Sequence, residues 1–254
     1  MGIYNCAPTL QEALDSLYAQ TFQDFEIILC DDGSKDNTYD VALDNQRQHA
    51  NIVLLRNEQN LGLNATLNKC LAVAKGEYIA RMDGDDISLP TRFEKQVAFL
   101  DEHLKYAVVS APMIYFDENG EFRCGKGKGE VVACDFVHGS PICHAPCMAR
   151  AEVFRSVGGY SVDERLLRVE DYHLWFKIFA AGHKLFMMDE CLYMMRDDRE
   201  AFRRRTFKSR VNETYVKSIG YRMINLPFYY QVFALRPLLI AMLPDCIYRI
   251  LHKK

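Results

Sequence analysis

Three carboxylates fall within four positions in Arg81-Met82-Asp83-Gly84-Asp85-Asp86, directly after Glu77-Tyr78-Ile79-Ala80. That order reads as a buried strand ending in an acidic turn. Oxygen-only ligands at a strand end suit a hard cation such as Mg²⁺ or Mn²⁺, which is usually held by one or two carboxylates plus the substrate's phosphates. A solvated acidic turn would carry the same residues, so the motif gains meaning from a second one. Asp31-Asp32-Gly33-Ser34 also follows a buried apolar strand, Phe25-Glu26-Ile27-Ile28-Leu29-Cys30. Two acidic turns at the carboxyl ends of strands point to one crevice, where open α/β sheets bind ligands.

Other residues with chemical potential are more ambiguous. Asp31 and Asp32 can equally form the turn or cap a helix, because Asx side chains bond nearby amides. Tyr4 can stack on a base or simply complete a strand. Glu170-Asp171 opens an amphipathic helix, where the dipole favours carboxylates whether or not one serves as a general base. Cys143-His144-Ala145-Pro146-Cys147 suggests zinc but lacks a fourth ligand. Gly120 to Gly127 has the GxxxxGK spacing of a P-loop, yet the metal-binding hydroxyl is replaced by Gly127, and Glu130-Val131-Val132-Ala133 reads as strand.

The elements that must position these groups alternate. Leu10, Ala13, Leu14 and Leu17 have helical spacing over residues 8–20. Strands are predicted at Glu26–Cys30, Ile52–Leu55 and Glu77–Met82. Helices are predicted from Ser34-Lys35-Asp36 onward, over Leu61–Lys75 up to Gly76, and from Pro90 through Leu100. This βαβα order implies a doubly wound, mostly parallel sheet. Strands follow at Ala107–Ala111 and Met113–Phe116, with a turn at Glu118-Asn119-Gly120. Residues 124–147 read as loop, Ala151–Val157 and Glu170–Ala181 as helices, and Lys184–Met188 and Cys191–Met195 as short strands.

The 254 residues suffice for one large α/β domain with an appendage. Nine scattered cysteines, without a CxxC pair, read as mostly buried and reduced, which fits a cytoplasmic compartment. No signal peptide is evident. Residues 196–254 carry 13 Lys/Arg against 5 Asp/Glu, a net of +8, leaving −11 on the rest. An acidic body can hold a cation, while a basic tail can meet phosphates, anionic lipid or the body itself. Nucleic acid is not an expected partner.

With both acidic turns placed, the chain resembles the family 2 glycosyltransferases of the bacterial polysaccharide type, which have the GT-A fold. The resemblance rests on an ordered set: Tyr4-Asn5, Leu10, Ser16-Leu17 with Gln20-Thr21, Phe25-Glu26 and Asp31-Asp32-Gly33-Ser34. It continues through Asn60-Leu61-Gly62-Leu63, Gly76-Glu77-Tyr78-Ile79, Asp83-Gly84-Asp85-Asp86, Pro90, His144, Gly158-Gly159-Tyr160 and Glu170-Asp171-Tyr172 with Leu174-Trp175. It implies a GT-A domain over residues 1–195 followed by a basic, apolar helical tail, 196–254. It also implies inverting transfer from a nucleotide-sugar, with a UDP-sugar as donor and Mn²⁺ or Mg²⁺ as cofactor. The acceptor would be a saccharide or lipid-linked sugar hydroxyl.

By motif, Tyr4 and Asp32 would contact the base, with Asp31 nearby, and Asp83 the ribose or sugar. Asp85 would hold the metal, and Asp171, beside Glu170, would be the base. His144 falls near the acceptor pocket, and Arg196, Arg199, Arg203, Arg204 and Arg205 fall in a loop that meets the diphosphate. Members often carry a histidine in that loop, and this chain has none between Met187 and Leu251. Only Met1-Gly2-Ile3 precede Tyr4, where members have a longer first strand, so either the strand is short or the start lies upstream.

Residues 226–251 are strongly apolar but interrupted by Arg236, Pro237, Pro244 and Asp245, so no clean span of about 20 apolar residues exists. They suit a helix lying at the inner membrane face, anchored by Arg249, Lys253 and Lys254, or one packed on the body or in a homodimer. Two rival functions remain open at this level. A nucleotidyltransferase would need a Gly-rich basic loop where Asn5-Cys6-Ala7-Pro8 stands, and a non-catalytic sugar-nucleotide binder would not need Asp83, Asp85 and Asp171.

Overall fold

Strand and helix alternate through the first hundred residues as the spacing predicts. The computed structural model describes residues 1–197 and 206–242. It opens with β1 (Gly2–Ile3), α1 (Ala7–Tyr18), β2 (Ile27–Asp31), α2 (Thr38–Gln48), β3 (Ile52–Arg56), α3 (Leu63–Val73) and β4 (Tyr78–Ala80). The sheet β1-β2-β3 is parallel, with Gly2 beside Cys30 and Ile27 beside Ile52. Pro8 starts α1, and Leu10, Ala13, Leu14 and Leu17 are buried, so the apolar stripe faces the sheet.

Two further sheets follow. β5 (Ile87–Ser88), α4 (Arg92–Glu102), β6 (Tyr106–Ser110), β7 (Met113–Asp117), β8 (Gly120–Cys124) and β9 (Gly129–Glu130) come next. After them lie β10 (Met148–Arg150), α5 (Ala151–Ser156), α6 (Glu170–Ala180), β11 (Lys184–Met187) and β12 (Tyr193–Arg196). The strand orders are β4-β10-β6-β11-β9 and β5-β12-β7-β8. Beyond β4 the pairing is mixed, because β10 enters antiparallel between β4 and β6.

Several differences from the predicted elements have one cause, tertiary pairing. Residues 124–147 are not all loop: Gly129–Glu130 become strand by pairing with Phe186–Met187, and Ala133–Val137 form a 3-10 turn that buries Phe136. β10 is only three residues and gains its strand character from the two neighbours it joins. α2 starts at Thr38 rather than Ser34, since the Asp36 carboxylate accepts from the Thr38 amide at 3.1 Å and the Ala7 amide at 3.2 Å.

Two apolar cores sit on either side of the strands. One gathers Trp175, Phe176, Phe136 and Tyr172 around α6; the other gathers Leu10, Leu14, Leu29 and Phe93 between α1, α4 and β2. Each such side chain contributes roughly 1.5–3 kcal/mol on burial. α7 (Phe207–Met223), α8 (Gln231–Ala234) and α9 (Arg236–Ala241) complete the described chain. α7 buries Val216 and Tyr221 in the first core, so this part of the basic segment is packed on the body.

β1 is two residues long and, among the described residues, pairs only with β2. A cavity of about 750 Å³ lies between Ile27–Ile28 of β2 and Tyr78–Ala80 of β4, lined also by Met1, Leu17, Phe93 and Val97.

Candidate functional site

The acidic turn at the end of β4 brings Asp83, Asp85 and Asp86 together, with one carboxylate oxygen of each within 4.8 Å of the others. Gly84 makes the turn possible: a side chain there would meet Cys6 Sγ at 2.8 Å and Ile3 at 3.2 Å. Thr9 Oγ1 donates to the Gly84 carbonyl at 3.0 Å. Asp83 is half-buried and paired with the buried Arg81 guanidinium. Asp85 is exposed and has no cationic side-chain partner among the described residues. Asp86 is buried; it accepts from the Tyr193 hydroxyl at 2.9 Å and the Arg196 amide at 2.8 Å. The same Tyr193 oxygen accepts the Asp83 amide at 3.1 Å.

The electrostatics fit a cation. Crowding by protein atoms, then the Asp83 charge, raises the Asp85 carboxyl above the usual range. Burial, then the Asp83 and Asp85 charges, pushes Asp86 up to about 7. Three converging oxygens with too little positive charge to balance them form a hard donor set, which suits Mg²⁺ or Mn²⁺. No other group of three or more such ligands exists among the described residues, so Cys143, His144 and Cys147 do not assemble a zinc site there.

The second acidic turn is joined to the first by residues 4–9. The Asn5 amide donates to Ser34 Oγ at 3.0 Å, and Asn5 Oδ1 accepts the Lys35 amide at 2.9 Å. Cys6 lies between the two turns; burial first, and the Asp85 and Asp36 charges among the lesser causes, push its thiol up to about 11. Asp31 is fully buried and lies 3.3 Å from Arg56 Nε. Asp32 accepts from Asn57 Nδ2 at 2.7 Å, the Leu61 amide at 2.8 Å and the Gly62 amide at 2.9 Å. It therefore ties β2 to the start of α3, with little acceptor capacity left over. Tyr4 stands 44% exposed beside this turn.

Glu170 and Asp171 begin α6. Burial raises both carboxyls, and the Arg81 charge opposes the rise in each. Asp171 Oδ2 accepts from Ser140 Oγ at 3.3 Å, while Glu170 Oε2 is buried without a hydrogen-bond partner among the described residues. Arg81 thus faces two ways: it pairs with Asp83, and its field favours ionised Asp171. His144 Nε2 meets the Tyr160 hydroxyl at 2.7 Å, and its ring packs edge-on against Tyr160 and Trp175. Burial holds this imidazole neutral, well below its ordinary value.

Arg196 reaches the metal-turn side. Its Nε donates to the Asp85 carbonyl at 3.1 Å, and its other end pairs with Glu12. Arg199, Arg203, Arg204 and Arg205 lie outside the described residues, as do Arg249, Lys253 and Lys254. Sequence reasoning missed Tyr193, Arg81 and Arg92. Arg92 is fully buried and donates to the Arg81 carbonyl at 2.7 Å and the Cys147 carbonyl at 3.3 Å, fixing the backbone under the acidic turn. The available signal for Arg81 was a lone cation in an otherwise buried strand end; Tyr193, inside a short strand, offered none.

Comparison with known proteins agrees with this geometry. The family model "Glycosyl transferase family 2" matches residues 1–158. EpsE of Bacillus subtilis (strain 168), named a glycosyltransferase, is 38% identical over 255 residues, spanning 100% of this chain and 92% of that protein. WfaP of Escherichia coli, named a UDP-Glc:alpha-D-GlcNAc-diphosphoundecaprenol beta-1,3-glucosyltransferase, is 27% identical, spanning 72% of this chain and 70% of that protein. Among solved structures, S. aureus TarS 1-349 in complex with UDP superposes with a TM-score of 0.72 at 18% identity, covering 100% of this chain and 74% of that one. The mannosyltransferase PcManGT from Pyrobaculum calidifontis, in complex with GDP-Man and Mn2+, has a TM-score of 0.65 at 20% identity, covering 98% and 77%.

Proposed function

This chain belongs to glycosyl transferase family 2 and has the GT-A fold, and from that premise we propose an inverting, metal-dependent transfer from a UDP-sugar to an acceptor hydroxyl in surface polysaccharide or glycolipid synthesis. The observation that carries the reading is the convergence of Asp83, Asp85 and Asp86 beside the Asp31-Asp32 turn. UDP in the TarS complex and the UDP-glucose donor in WfaP's name support the donor. The lipid diphosphate in that name supports a lipid-linked saccharide acceptor.

Asp85 would hold Mn²⁺ or Mg²⁺, with Asp83 toward the ribose or sugar. PcManGT's Mn2+ supports a divalent ion. A bound divalent ion would neutralise the charge gathering on the departing diphosphate. Tyr4 would lie against the base, with Asp31 and Asp32 forming the floor beneath it. Arg196, and Arg199 beyond it, would add positive charge on the diphosphate side. Asp171 would accept the proton of the attacking hydroxyl; its raised pKa brings it nearer the operating pH, where a general base is most effective. Glu170 would play the lesser part, with one oxygen buried and without a hydrogen-bond partner among the described residues. His144 would shape the acceptor side as a neutral ring. Family membership sets aside a nucleotidyltransferase, and a non-catalytic binder would not require Asp171.

The enzyme works at the inner face of the cell membrane in this reading. No helix among the described residues is long and apolar enough to cross a membrane. Phe228, Tyr229, Val232, Leu235, Leu239 and Met242 are each at least half exposed. They lie in the segment of net charge +8. Apolar groups beside surplus cations are matched by an anionic lipid surface.

The test is a screen of nucleotide-sugars by thermal shift with and without Mn²⁺, followed by product analysis for the hit. A UDP-sugar is expected to raise Tm only with metal present, since ligand binding to the native state raises stability. Stabilisation by no nucleotide-sugar, or equal stabilisation without metal, overturns the donor and metal reading.

A further inference from the structure

Cys124 ends β8, and Cys191 lies in the turn between β11 and β12. They are 67 positions apart in sequence, yet their sulfurs are 2.6 Å apart. Neither is among the candidate site residues described above. Both backbones are held firmly. The Gly125 amide donates to the Met113 carbonyl at 2.8 Å, and Leu89 donates to the Leu192 carbonyl at 3.1 Å. Gly127 runs so close to Met188 and Asp189 that any side chain there would collide with them. The two thiols are therefore presented to each other by a packed frame.

We propose that Cys124 and Cys191 are a reversible dithiol–disulfide pair, a modification site separate from the transfer chemistry. A disulfide bond is about 2.05 Å long, so closure requires only a small approach of the sulfurs. Access agrees: Cys124 is exposed and Cys191 half-buried. Cys30 and Cys70 also neighbour each other, but both are buried away from a soluble oxidant. Intracellular disulfides of this kind are usually transient and redox-sensing, and exposed ones are the labile class.

The co-reactant is a small disulfide such as oxidised glutathione. The Cys124 thiolate attacks one of its sulfurs, forming a mixed disulfide and expelling one glutathione thiolate. Cys191 then attacks the Cys124 sulfur, expelling the second. Two protein thiols become one disulfide, oxidised glutathione becomes two reduced glutathiones, and the two thiol protons end on them. Cys124 attacks first because it is exposed, while burial and then the Cys124 neighbour push the Cys191 thiol up to about 12.

The experiment equilibrates the full chain across glutathione redox ratios, quenches with an alkylating agent and maps the cysteines by mass spectrometry. Cys124 and Cys191 are expected to lose alkylation together and to appear in one cross-linked peptide that dithiothreitol releases. The oxidised protein is expected to melt roughly 5 °C or more above the reduced one, as a cross-link closing a long loop constrains the unfolded chain. Cys124→Ser, at an exposed position, is expected to abolish both changes while its reduced Tm matches the wild type. Full alkylation of Cys124 in the most oxidising buffer, arrest at the mixed disulfide, or a bond to any other cysteine overturns the proposal.

Discussion

The Tyr193 hydroxyl donates to the buried Asp86 carboxylate at 2.9 Å, across 107 residues of sequence. One phenol thereby holds the third carboxylate of the acidic turn, and the same oxygen accepts the Asp83 amide. Tyr193→Phe removes both bonds and little volume. It is expected to lower stability by about 1–3 kcal/mol and to weaken Mn²⁺-dependent UDP binding roughly tenfold, near 1.4 kcal/mol in that equilibrium. Calorimetric titration with and without Mn²⁺ reads the second effect, and unchanged metal dependence would remove Tyr193 from the site.

Asp85→Asn is expected to abolish metal-dependent nucleotide binding and nearly all turnover while leaving Tm close to that of the wild type. Asp85 is exposed and has no cationic side-chain partner among the described residues, so the fold does not lean on it. Full turnover in this variant would show that the ion is held elsewhere.

Asp171→Asn is expected to slow transfer by two or more orders of magnitude, about the general-base contribution, with donor affinity near normal. The wild-type rate should fall as pH drops through the Asp171 pKa. Because burial raises that pKa, the acid limb of the profile is expected above the ordinary aspartate range. Ser140→Ala removes a donor that favours the ionised form, so it should move the limb further upward. The native state binds this proton more tightly than the unfolded chain does, so the group's contribution to stability declines as pH rises above the unfolded value. Asp171→Asn should therefore melt no lower than the wild type at neutral pH. A larger loss of rate in Glu170→Gln would exchange the two roles.

Asp32→Asn separates a structural duty from base recognition. Asp32 accepts three hydrogen bonds from β3's end and the start of α3, and bonds to a charged acceptor are worth about 1.5–3 kcal/mol each. A loss of roughly 2–4 kcal/mol is expected by denaturant unfolding. A variant of unaltered stability with weakened UDP binding would make Asp32 a pure base contact.

Phe228→Ser, Val232→Ser and Leu239→Ser combined are expected to keep the fold, because all three side chains are exposed. The triple variant should lose most binding to anionic liposomes, and wild-type binding should weaken as salt rises. If the wild type ignores such liposomes at low salt, and sedimentation instead shows a dimer that the variant breaks, the face joins two copies of this chain.

The sequence made some of this architecture legible and hid the rest, and the division follows interaction range. α1 and β2 could be read because their apolar spacing is local: Leu10, Ala13, Leu14 and Leu17 identify a face without reference to any partner. The acidic turns could be read because three carboxylates in four positions are themselves the signal. β9 and β10 could not, since two or three residues become strand only through neighbours far along the chain. Tyr193 and Arg92 reach the turn by the same long-range route, and neither carries a periodic or compositional mark. Asp32 could be read either as a bonder of nearby amides or as a base contact; its bonds to Asn57, Leu61 and Gly62 bear out the first, and which amides it would meet depended on long-range packing.

The insertion of β10 between β4 and β6 carries a consequence for synthesis on the ribosome. Both neighbours emerge well before Met148–Arg150 do, and until then each presents an open backbone edge to the other and to the surroundings. Exposed edges pair readily with other chains, and nascent chains of this size pass through such partly assembled states. A chain halted before residue 148 thus leaves that gap unfilled; Met148–Arg150 fill it, while the other edge of β6 still waits for Lys184–Met187 of β11.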